Sequence, residues 1–132
     1  DIRALQKLEE LRQQQLWQQD LLKEYYTELT DTVRVYLEES YNIPSTEMTT
    51  DQTLQAFHLC CGYTEENASR LSQILQAADM VKFAKSKPQP YQHDMALNQS
   101  INFVKNTASL NPHPEPNTES EEEDTTTNNS KS

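Results

Sequence analysis

Glycine is almost absent: Gly62 is the only one among 132 residues. That excludes glycine-rich phosphate loops and the tight turns of a many-stranded sheet. Cysteine is scarce too, with Cys60 and Cys61 side by side, so neither a disulfide framework nor a structural zinc site can be built from cysteine alone. Reduced thiols fit a cytosolic compartment. Basic residues number 11 against 21 acidic ones, a formal charge of -10, whereas a general binder of nucleic-acid backbones needs clustered Lys and Arg. No stretch approaches the roughly 18 apolar residues of a membrane span, and no signal peptide is present. A chain that opens at Asp1 inside a helical pattern (Ile2, Leu5, Leu8) reads as part of a longer protein.

What is present divides at Leu110. Residues 111–132 hold no apolar side chain apart from Pro112, Pro114 and Pro116, and they carry the run Glu119-Ser120-Glu121-Glu122-Glu123-Asp124. Such a segment buries nothing and cannot repay roughly 1–2 kcal/mol of backbone entropy per ordered residue. Residues 110–132 therefore read as a disordered acidic tail, and residues 1–109 as one domain. The tail holds six acids and one lysine; the domain holds fifteen acids and ten bases. Each part is net -5, so the domain is only mildly acidic.

Five amphipathic helices are legible in the domain. The first covers about Ile2 to Gln18 on Leu5, Leu8 and Leu11, a thin stripe that resumes at Leu16 and Trp17. The second covers about Asp20 to Tyr41, where Leu22, Tyr26, Leu29, Val33, Tyr36 and Leu37 recur at the helix period and Asn42-Ile43-Pro44 ends it. Thr49 with Gln52 predicts a capping box for a third helix whose Leu54, Phe57 and Cys61 share a face, with Cys60 nearer the boundary. Gly62 is read as its left-handed stop. Thr64 opens a fourth helix with Leu71, Ile74, Leu75, Ala78 and Val81 inward. After the stiff linker Lys85–Pro90, a fifth helix over about His93 to Ala108 presents Leu97, Ile101, Val104 and Ala108. The fold class expected is all-α, a compact bundle of four to five helices.

Chemistry-bearing residues are dispersed. His58, His93 and His113 fall on different segments, with no partner at metal-ligand spacing. Vicinal Cys60 and Cys61 lack the two-residue spacer of redox motifs. No serine lies in a nucleophile elbow. The pairs Glu9-Glu10, Glu38-Glu39 and Glu65-Glu66 fit solvated helix faces better than acid/base catalysis. Asn67-Ala68-Ser69 and Asn98-Gln99-Ser100 match the glycosylation pattern inside predicted helices and read as chance. Catalytic residues, cofactors and metals are accordingly expected to be none.

Two features point outward. Tyr25 and Tyr26 cannot both face inward on one narrow stripe, so Tyr25 is a candidate partner contact. Lys82-Phe83-Ala84-Lys85-Ser86-Lys87 is the domain's basic cluster; Lys82, Phe83, Lys85 and Lys87 are the other candidates, although lysines in a last helical turn also suit the helix dipole.

Read in order, Leu16-Trp17-Gln18-Gln19, Tyr25-Tyr26-Thr27-Glu28-Leu29-Thr30 with Arg34 and Tyr36-Leu37-Glu38, Glu47-Met48-Thr49-Thr50-Asp51, and Ala78-Asp79-Met80-Val81-Lys82-Phe83-Ala84-Lys85 resemble the C-terminal tail domain of Bacteroidetes membrane proteins similar to the BatD family. The resemblance covers roughly residues 2–108. It implies a signal peptide, a periplasmic region and one transmembrane helix upstream, with this domain on the cytoplasmic face of the inner membrane. It also implies an operon partner, a MoxR-type ATPase or a von Willebrand factor A protein, and no enzymatic activity. The matching residues have structural readings as well. Arg34 can pair with Glu38 at i+4, and Phe83 can anchor the fourth helix to the core.

The function expected is a non-catalytic protein-interaction domain. Helix one would continue from the membrane, and Lys82–Lys87 would lie near anionic headgroups or an acidic partner surface. The alternative is a self-associating module, because helix one has the thin seam of a helix that pairs with its copy. An enzyme lacks a constellation to carry it. A DNA-binding corner between helices three and four is opposed by charge, since helix four offers only Arg70 before Lys82.

Overall fold

A computed structural model of the chain describes residues 2–85 and 87–110; the disordered-tail reading of 111–132 lies outside the described residues. Five α-helices follow in order: α1 (Ile2–Gln14), α2 (Leu22–Tyr41), α3 (Thr50–His58), α4 (Glu65–Phe83) and α5 (Pro90–Ala108). Short 3-10 turns at Trp17–Gln19 and Ser45–Glu47 join the first three. The described residues contain no strand. The chain is an all-α bundle, as its periodicity predicts.

α2 is the organising element, packing against α1, α4 and α5. This decides which residues it buries. A helix touched from one side hides a stripe about 100° wide, but a helix touched from three sides hides neighbours on the helical wheel as well. Tyr25 and Tyr26 are accordingly both buried, at 1% and 0% exposure, which corrects the view that one must face outward. With Leu29, Val33, Tyr36 and Leu37 they meet Leu8 and Leu11 of α1, Leu71, Ile74 and Leu75 of α4, and Leu97, Phe103 and Val104 of α5 in one core.

Helix ends follow their local chemistry. Thr49 Oγ1 accepts from the Gln52 amide at 3.1 Å while the Gln52 side chain accepts from the Thr49 amide at 2.9 Å, the reciprocal box predicted. Thr64 caps α4 by accepting from the Asn67 amide at 2.9 Å. α5 begins three residues before His93 because Pro90 fits the first turn, where its missing N–H costs nothing. The first predicted helix is shorter than its pattern: Gln15 (φ 53°) and Asp20 (φ 65°) adopt the left-handed region. The half-buried Leu16 and Trp17 are folded into the turn between them.

Three further expectations are corrected. α3 stops at His58 with Leu59 in the right-handed region, so the helical spacing that carried Cys61 inward no longer applies; Cys61 is exposed and Cys60 half-buried. Gly62 has no positive φ. Its hydrogen is needed for close approach, since a Cβ there would meet the Tyr41 hydroxyl at 2.7 Å and ring at 2.8 Å. α5 turns its buried face by about one position from the predicted stripe, hiding Ser100, Phe103 and Thr107 while Ile101 and Ala108 stay half-buried. Ser100 and Thr107 can be buried because each hydroxyl donates to a carbonyl one turn back, at 2.8 and 2.7 Å.

Candidate interaction surface

The polar side chains inside the bundle are used by the bundle. Arg34 does not pair with Glu38, whose carboxylate accepts from Thr46. Its Nη1 instead donates to the carbonyls of Ser45 at 2.6 Å and Met48 at 2.8 Å, with the hydroxyls of Ser45 and Thr53 at 3.2 Å. It thereby fastens the α2–α3 connection onto α2, serving the Met48 carbonyl and adding a second donor to the Ser45 carbonyl, which also accepts from the Met48 amide at 3.0 Å. A second cluster surrounds His93. The Tyr26 hydroxyl lies 2.9 Å from His93 Nδ1, the Tyr25 hydroxyl donates to the His93 carbonyl at 2.9 Å, and the Trp17 ring centres 5.1 Å from the imidazole. Burial raises the Tyr25 pKa, with Tyr26 and Asp94 adding and Arg12 opposing, and pushes Tyr26 up to about 12. It lowers that of His93, with Asp94 opposing. At the other end Tyr36 hydrogen-bonds Thr107 Oγ1 at 2.7 Å, and Tyr41 donates to the Thr107 carbonyl.

These contacts orient the bundle. Trp17, Tyr25 and Tyr26 on His93 bring the turn after α1, the start of α2 and the start of α5 to one end. Arg3 on Glu39, Tyr36 and Tyr41 on Thr107, and Gly62 under Tyr41 bring the start of α1 and the ends of α2 and α5 to the other. α4 and α5 run antiparallel, Gln73 meeting Gln99 and Ala77 sharing a groove with Met95. The end of α4 therefore lies at the His93 end.

Lys82, Phe83, Lys85 and Lys87 are together there, on the last turn of α4 and the connection to α5. Lys82 is half-buried with its Nζ 5.7 Å from the Phe83 ring centre; Lys85 and Lys87 are exposed. Phe83 is 77% exposed, which corrects its reading as a core anchor: α4 meets the core through Ile74, Leu75, Ala78 and Val81, and Phe83 falls off that face. Tyr25 does not join this group because it is buried. Three residues that sequence reasoning missed do flank it: Met80, Tyr91 and Met95, at 52%, 63% and 50% exposure. The available signal was that Met80 and Met95 fall off the predicted inward stripes of their helices; Tyr91 lies ahead of the predicted start of the fifth helix, which begins instead at Pro90.

The basic end lies away from both Ile2 and Leu110. A helix continuing from a membrane at Ile2 and lysines resting on its headgroups thus point in opposite directions. The α4–α5 groove, lined by Gln73, Ile74, Ala77, Gln92, Met95, Ala96 and Gln99, holds about 190 Å³, and the α1–α2 groove about 200 Å³, below the roughly 300–1,000 Å³ of small-molecule sites; a third, shallow and open, runs along α3 past Met48, Gln52, Ala56 and Leu59 and holds about 560 Å³. Among the described residues no group of three His, Cys, Asp or Glu side chains could hold a metal ion, and no helix is long and apolar enough to cross a membrane.

The fold defines an all-α bundle whose His93 end carries the Lys82–Lys87 cluster and exposed Phe83, with the exposed carboxylates Asp20, Glu24 and Asp94 at the same end. Compared with family models, curated proteins and solved structures, the chain matches none.

Proposed function

We propose that this chain is a non-catalytic protein-interaction domain whose basic end docks an acidic partner surface. One observation carries the reading. Phe83, Tyr91, Met80 and Met95 remain exposed beside Lys82, Lys85 and Lys87, while the inward polar residues are hydrogen-bonded within the bundle. Aromatic and methionine side chains are what interface cores favour, and lysines around them steer an acidic surface into register. The resemblance to BatD-like tails supplies the setting: the cytoplasmic face of the inner membrane, with the MoxR-type ATPase or von Willebrand factor A protein of the operon as partner. An acidic protein is favoured over headgroups because the basic end is remote from Ile2.

Co-purification from native membranes tests it. The intact protein is expected to recover one of those partners, and Phe83→Ala with Tyr91→Ala to weaken recovery by about tenfold or more. Recovery of neither partner, or recovery indifferent to both substitutions, counts against docking at this end.

A further inference from the structure

We infer that the acidic run Glu119–Asp124 of this same chain docks on the Lys82–Lys87 turn and competes with a partner for it. The competition rests on the interaction reading above; the docking itself does not. Three observations carry it.

The first is charge. The run holds five carboxylates within six residues, and the turn concentrates three of the ten bases of residues 1–109. The second is repulsion at the exit. Leu110 follows α5 at the end bearing Glu38, Glu39, Glu65 and Glu66, where Arg3 and Arg70 are already paired with Glu39 and Glu66, leaving Lys7 and Lys105 as exposed cations nearby. An acidic segment leaving there is pushed from the near end toward the far one.

The third is reach. α5 has 19 residues, so the basic turn is about 28 Å away at 1.5 Å per residue. Residues 121–124 lie eleven to fourteen positions past Leu110, a contour of about 36–50 Å. The tether spans the distance without being taut, which raises the local concentration of carboxylates to the millimolar range. Exposed ion pairs are individually weak and screened by salt, so the contact is reversible and a stronger acidic surface displaces it.

The test compares amide spectra of two full-length chains, wild type and one carrying Glu119→Gln, Glu121→Gln, Glu122→Gln, Glu123→Gln and Asp124→Asn. In about 20 mM salt the amides of Lys82, Phe83, Lys85 and Lys87 are expected to shift between the two. In about 500 mM salt, where the screening length falls to about 4 Å, the spectra should coincide. No difference at these residues, or equal differences at Lys7 and Lys105, overturns docking whatever a partner assay gives. If docking holds, the neutralised chain should recover more partner than wild type; equal recovery overturns the competition alone.

Discussion

The Tyr26 hydroxyl and His93 Nδ1 lie 2.9 Å apart in the core, joining the first turns of α2 and α5. His93 is 4% exposed, and burial depresses its pKa below the ordinary 6.5. The sign follows: the unfolded chain binds the proton first, so stability is complete above the unfolded value and declines as pH falls toward the folded one. Asp94 moderates the effect, and Tyr25 and Tyr26 stay neutral throughout. Urea midpoints should fall as pH drops below about 6.5 more steeply for wild type than for His93→Gln. Parallel curves for the two would remove His93 as the cause.

Arg34 fastens the α2–α3 connection with one nitrogen among four acceptors. Arg34→Met keeps the stem but strands the Met48 carbonyl and leaves the Ser45 carbonyl with the Met48 amide alone, and Ser45 and Thr53 are fully buried. The expected loss is about 2–3 kcal/mol in denaturant unfolding. Glu38→Gln should cost far less. Comparable losses would revive an Arg34–Glu38 pair.

Gly62 and Tyr41 form a steric couple. Gly62→Ala should destabilise by about 1–3 kcal/mol, because Tyr41 is held by the Thr107 carbonyl and cannot yield freely. Tyr41→Phe removes the nearest atom but leaves the ring at 2.8 Å, so it should restore only part of the loss. A double-mutant cycle reads the coupling; additive effects would mean that the two residues do not oppose each other.

Phe83 and Phe103 should behave oppositely. Phe103 is fully buried against Phe57 and Tyr36, with ring centres 5.4 and 6.3 Å away, and Phe103→Ala should cost about 3–5 kcal/mol. Phe83→Ala should change stability by no more than about 0.5 kcal/mol. Thermal unfolding of both checks this, and a large loss at Phe83 would return it to the core.

The sequence by itself determined five helices, the cap at Thr49 and the inward stripes of α2 and α4, because these depend on residues three or four positions apart. It also identified Lys82, Phe83, Lys85 and Lys87 as neighbours, since they lie within one turn and its connection. Only the tertiary structure decided that Tyr25 is buried with Tyr26, that Phe103 is core and Phe83 is not, and that Arg34 serves carbonyls eleven and fourteen residues away. Periodicity reports that a helix has an apolar side. How wide that side becomes, and which polar groups it covers, depends on how many neighbours close over it, and those neighbours come from distant parts of the chain.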